Sequence, residues 1–188
     1  MSLSRAVPRK LIHRREIQSC GYQREDGLWD IEAHLKDLKT ETVPHPERES
    51  GYIPAGEPFH EMIVRLTIDT GLLIHDIEAH TRFAPFKMCA SVADVYEAIK
   101  GTRISAGWLK ECKSRTGGRL GCTHLNELLP VLATTAIQSL WTVQDEATFR
   151  QSASTMINTC QGWASDGEVV RKYLPEHYQG DPIKILQE

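Results

Sequence analysis

A thiol and an imidazole stand one residue apart at Cys122 and His124, just after Gly117, Gly118 and Gly121 and just before a leucine-rich run. Glycine lets the backbone enter conformations closed to other residues. A helix that starts here presents unpaired N–H groups and the positive end of its dipole, which lower a cysteine pKa. That setting suits a nucleophilic or metal-ligating thiol. The plain alternative is a helix-entry loop with one buried cysteine acting as a small hydrophobe. Two more soft ligands, His60 and Cys89, each precede an expected element. Zinc and iron accept thiolate and imidazole together, so His60, Cys89, Cys122 and His124 form a candidate metal set if the fold brings them to one end of a sheet. His60 or His124 could also act as a general base, oriented by Glu61 or by Glu127, which shares a helical face with His124.

The chain has no Walker phosphate loop, dinucleotide Gly-rich fingerprint, G-x-S-x-G elbow or H-E-x-x-H pair. Five cysteines, Cys20, Cys89, Cys112, Cys122 and Cys160, are odd in number and scattered, so reduced thiols and a cytoplasmic location are expected. A net charge of -3 gives no general reason to seek nucleic acid or an anionic membrane. The basic cluster Arg5, Arg9, Lys10, Arg14, Arg15 reads as a solvated arm. No apolar run is long enough to span a bilayer. At 188 residues the expectation is one domain over 1–188, with a sheet in 11–83, a helical layer in 89–162 and an irregular tail in 163–188.

The elements that must place these side chains follow from periodicity. An extended stretch from Leu11 to Tyr22 meets a turn at Glu25-Asp26-Gly27. Trp29, Ile31, Ala33 and Leu35 then alternate with Asp30, Glu32, His34 and Lys36, which describes a strand with one apolar and one wet face. The proline-rich segment 42–58 reads as a long surface loop. Met62, Val64, Leu66 and Ile68 repeat the alternation, and Leu72 to Phe83 follows after Asp69-Thr70-Gly71 as the antiparallel partner. After Cys89 the period becomes about 3.6, with Ser91 and Asp94 resembling a capping box, Val92, Val95, Tyr96 and Ile99 as a stripe, and Gly101 as a stop. Further helices are expected from Ala106 to Arg115, from Thr123 to Trp141 across Pro130, and along the stripe Phe149 to Cys160. The fold class is therefore α+β, an antiparallel sheet of three to four strands covered on one face by three to four helices.

Gly21-Tyr22 with Asp26-Gly27-Leu28-Trp29-Asp30, Pro58-Phe59-His60-Glu61-Met62, Pro85 with Cys89, Gly121-Cys122-Thr123-His124-Leu125 and Thr159-Cys160 resemble the bacterial family catalogued as domain of unknown function 2889 over nearly the whole chain. That resemblance implies no known activity. Residues 55–141 also resemble iron-sulfur scaffold proteins of the NifU and IscU type, in the order His60 before a hairpin, Cys89 before Ala98-Ile99-Lys100-Gly101, and Cys122 before Leu125. This second resemblance implies a SufE/NifU-like fold and an iron-sulfur or sulfur-carrier role. The first cysteine position is here His60, and His124 follows Cys122 instead of preceding it; these departures suit a closed zinc site better than a two-iron cluster. The expected function is a metal- or thiol-site protein, as structural zinc, iron-sulfur carrier or sulfur carrier. The rivals are a cofactor-free binding module with an unknown protein partner, and a small-molecule enzyme with a histidine base.

Overall fold

The computed structural model describes residues 3–141 and 145–180. Among the described residues there are six strands: β1 (His13–Gln23), β2 (Trp29–Lys39), β3 (Val43–Pro44), β4 (Tyr52–Ile53), β5 (Pro58–Ile68) and β6 (Ile74–Phe83). The four long ones form an antiparallel meander in the order β1-β2-β5-β6. Alternation decides which face is covered. Trp29, Ile31, Ala33 and Leu35 of β2 and Met62, Val64, Leu66 and Ile68 of β5 are buried, while Glu32 of β2 and Arg65 of β5 meet on the wet face, where they pair at 3.6 Å. Segment 42–58 is more ordered than a loop. β3 and β4 pair within it, and Ile53 and His45 are buried.

Helical segments follow: a 3-10 segment over Lys87–Ile99, then α1 (Trp108–Thr116), α2 (Thr123–Leu140), α3 (Glu146–Ser154) and α4 (Glu168–Tyr173). The 3-10 geometry departs from the expected α-helix, and no capping box forms at Ser91. Its hydroxyl instead donates back to the Met88 carbonyl at 2.8 Å, a local bond that competes with capping. Tyr96 and Ile99 still reach the core, and Gly101, with φ +80°, ends the segment.

α2 runs through Pro130 without interruption. The ring removes the N–H that would meet the Asn126 carbonyl, so the helix rests on tertiary packing. Leu125, Leu128, Leu132 and Ala136 are fully buried, and each leucine contributes about 1.5–3 kcal/mol. The direction of α2 is fixed at both ends. Arg15 donates to Glu127 near its start, and near its end a Cβ built on Gly21 would lie 1.9 Å from Ser139 Oγ. Arg15 and Gly21 share one phase of β1, the phase paired with the buried Asp37 and Ile31 of β2. The helix therefore lies along the first two strands, on the covered face.

The chain divides into two compact units, Met1–Ser139 and Leu140–Glu188. The second has its own small core of Ala153, Val170 and Leu174, with Phe149, Ile157, Trp163 and Tyr178 packed against it. Asp145 caps α3 by accepting from the Thr148 N–H at 2.8 Å. The expected stripe to Cys160 is helical only as far as Ser154. Pro175 starts a short 3-10 turn, and Pro182 lies outside the described residues. Among the described residues, no helix is long and apolar enough to cross a membrane.

Candidate functional site

The apolar phase of the sheet turns polar at one end. Continuing β2 inward from Trp29, Ile31, Ala33 and Leu35, the next covered position is Asp37, which is 1% exposed. Register places it opposite Arg15 on one side and His60 on the other, so three charged or titratable side chains form one row across β1, β2 and β5. A register shift between Asp37 and Leu38 sits beside this row, as bulges commonly do next to functional side chains.

Asp37 is the hub. Arg15 donates to both of its oxygens, Nε to Oδ1 at 2.8 Å and Nη2 to Oδ2 at 2.7 Å, the bidentate geometry in which guanidinium binds carboxylate best. His13 Nε2 lies 3.1 Å from Oδ1 and His60 Nδ1 3.2 Å from Oδ2. Burial pushes the Asp37 carboxyl up, but Arg15, His13 and His60 outweigh it and hold the group below the ordinary range. Arg15 is raised in turn by Asp37.

α2 brings the other half of the site. His124 lays its ring on that of His60, with centroids 3.8 Å apart and planes 29° from parallel. Its Nε2 is 3.6 Å from Asp37 Oδ2 and its Nδ1 is 3.8 Å from Cys122 Sγ. A carboxylate accepts only, so Asp37 favours the tautomer with the proton on Nε2, leaving the Nδ1 lone pair toward the thiol. Burial raises the Cys122 thiol, yet His124 and the backbone N–H groups of Leu125 and His124 bring it below the ordinary value. His60 moves to about 4 because burial and the neighbouring His124 disfavour its charge more than Asp37 favours it. It is neutral at pH 7.

Cys122 is held by its backbone. Its N–H donates to the Tyr96 hydroxyl at 3.1 Å, and that hydroxyl donates to the Cys122 carbonyl at 2.9 Å. Gly121 is needed for this close approach, since a Cβ there would lie 2.3 Å from the Thr116 carbonyl oxygen and 3.0 Å from the Tyr96 hydroxyl.

Of the four residues expected from the sequence, His60, Cys122 and His124 meet here. Cys89 is the third residue of the 3-10 segment, its N–H bonded to the Phe86 carbonyl. Among the described residues, Asp37, His60 and His124 offer ligand atoms within 4.8 Å of one another; neither Cys89 nor Cys122 belongs to that group. Glu61 orients His34 at 3.0 Å and Glu127 binds Arg15, so neither serves the histidine first paired with it. Asp37 and Arg15 were not foreseen. For Asp37 the signal is phase, a charge on the apolar beat of β2; β1 is polar on both phases and gives no such signal for Arg15.

All five cysteines are free thiols. No curated protein and no solved structure matches the chain. Residues 13–138, which hold the whole sheet and every residue of the site, match the model of the family described as Protein of unknown function (DUF2889), and the chain belongs to that family.

Proposed function

We propose that the protein acts through a covalent thiol step, with Cys122 as nucleophile, His124 as its base and Asp37 as the group that orients His124. The observation that carries this reading is the chain of contacts Cys122 Sγ to His124 Nδ1 and His124 Nε2 to Asp37 Oδ2, at 3.8 and 3.6 Å. A nucleophile, a base and a third group that fixes the base are the recurring parts of such chemistry, and their contacts are often loose before substrate binds. The thiol proton passes to His124 Nδ1, sulfur bonds to an electrophilic carbon or sulfur of the substrate, and the leaving group departs with the proton that His124 returns. Arg15 keeps Asp37 ionised, so the imidazolium formed in the step has a counter-charge. On this reading the protein is a group-transfer enzyme or a sulfur or acyl carrier.

The test is the rate of Cys122 alkylation by iodoacetamide against pH, read by peptide mass. Wild type should react faster below pH 8 than Cys160, the exposed cysteine. His124→Ala should move the profile toward that of an ordinary thiol. Equal profiles for the two cysteines would reject the reading.

A second reading has its own observation. Asp37, His60 and His124 are a carboxylate and two imidazoles close enough for one divalent cation. Against it, Arg15 already occupies both Asp37 oxygens. The two imidazoles are also stacked, with centroids 3.8 Å apart and planes 29° from parallel, and a cation must lie near the plane of each ring whose nitrogen binds it. A metal would require the rings to splay. Zinc or iron content of protein purified anaerobically decides between the two, with His60→Phe as the control.

A further inference from the structure

Between α1 and α2 lies a cleft of about 430 Å³, within the range of small-molecule sites. α1 contributes Leu109, Cys112 and Lys113, and α2 contributes Asn126, Leu129 and Pro130. The polar groups around it are nearly all spent. The Asn126 amide accepts from the Thr116 hydroxyl and donates to the Thr116 carbonyl, both at 2.7 Å. Glu127, at the edge of the cleft, is paired with Arg15. Cys112 is buried and its thiol is pushed up to about 12, so it stays neutral and acts as apolar wall. Lys113 differs. It has no acidic partner among the described residues, so the cleft offers an apolar wall and one uncompensated cation.

The cleft also reaches the first turn of α2, where Thr123, the residue after Cys122, lines it. Asn126 and Leu129 follow Cys122 by four and seven residues, the spacing of one helical strip, and the Asn126 N–H donates to the Cys122 carbonyl at 2.9 Å. A molecule lying along this strip reaches Thr123 in the first turn of α2, one residue from Cys122.

We propose that this cleft is the substrate site of the thiol centre and takes a small anionic amphiphile, an aliphatic or aromatic acyl group carrying a carboxylate. The apolar body lies on Leu109, Leu129 and Pro130 and the carboxylate pairs with Lys113. This rests on the thiol reading for its place in the chemistry, but the binding itself is independent of sulfur.

Sodium octanoate, titrated into the full-length protein by calorimetry, is the probe. One saturable site is expected, with n-octylammonium at least about tenfold weaker because Lys113 repels it. Leu109→Trp should abolish binding; Leu109 is 46% exposed, so the larger side chain fills the cleft without crowding the core. Lys113→Glu should weaken octanoate by about tenfold or more. Cys122→Ser should bind octanoate unchanged, which separates failure of the thiol reading from failure of this one. Octanoate should also slow alkylation of Cys122 in the wild type. No saturable site, or affinity indifferent to both cleft variants, would overturn the proposal. Tight octanoate binding that leaves Cys122 alkylation unchanged would overturn the placement beside the thiol.

Discussion

His60 lies flat against His124, with ring centroids 3.8 Å apart, and both rings turn a nitrogen toward the same oxygen of Asp37. Two protonated imidazoles in this position would repel. One must stay neutral, and the more buried ring, His60, is the one held neutral. On the proposed thiol reading, that leaves His124 as the ring beside Cys122 that takes its proton.

His60→Phe should keep the stack while removing both nitrogens. If His60 is a wall for a working thiol, the variant retains Cys122 alkylation within about threefold of wild type, a change of under 1 kcal/mol in barrier. A fall of a hundredfold or more would instead make its nitrogen part of the machinery.

Stability should fall on mild acidification. The folded-state value of His60 is depressed from 6.5 to about 4, so the unfolded chain binds the extra proton between those values and stability declines as pH drops through that window. Asp37 acts below it. Its carboxyl is depressed, so the stability it gives is present above the unfolded value and is lost as pH falls toward the folded one. Urea midpoints at pH 7 and pH 5 check the first window, and His60→Phe should flatten that step.

Asp37→Ala should be among the most damaging single changes. It strips Arg15 of a bidentate partner and three histidines of a shared acceptor. Arg15 is partly exposed and keeps Glu127, so the expected cost is that of a charged hydrogen bond, about 1.5–3 kcal/mol. Replacing both residues, as Arg15→Met with Asp37→Leu, should cost less than Asp37→Ala alone. A double-mutant cycle by denaturant unfolding measures the difference.

Much of this was written in the periods. Alternation at Trp29 to Leu35 and at Met62 to Ile68 set the strands, their faces and the antiparallel hairpin, because a half-buried strand can satisfy both faces in only one phase. The leucines from Leu125 to Leu132 likewise marked α2. The site was half legible: Cys122 and His124 stood out by local spacing, and His60 by its place before a strand. Asp37 and Arg15 stayed hidden because their meaning depends on register between strands, which sequence distance does not carry. Cys89 has a ligand's type and a place at an element's start, but it lies outside the group formed by Asp37, His60 and His124. The 3-10 geometry of Lys87–Ile99 is not legible in the sequence because its buried pair, Tyr96 and Ile99, stands three apart, a spacing both helix types share.

The last prediction concerns how Cys122 is aimed. Tyr96 grips its N–H and its carbonyl with one hydroxyl, and the hydroxyl is buried enough that its pKa rises to about 12, so it remains a donor at all working pH. Tyr96→Phe keeps the ring in the core and removes only the clamp, leaving two backbone groups to find other partners; the expected cost is about 1–3 kcal/mol. Gly121→Ala acts on the same point from the other side, by forcing a Cβ against the Thr116 carbonyl. If the clamp aims the sulfur at His124, both variants slow Cys122 alkylation below pH 8 more than their loss of stability explains, and the pH profile shifts toward that of an ordinary thiol. Matching profiles at a temperature where each variant is fully folded would show that Tyr96 serves only the fold.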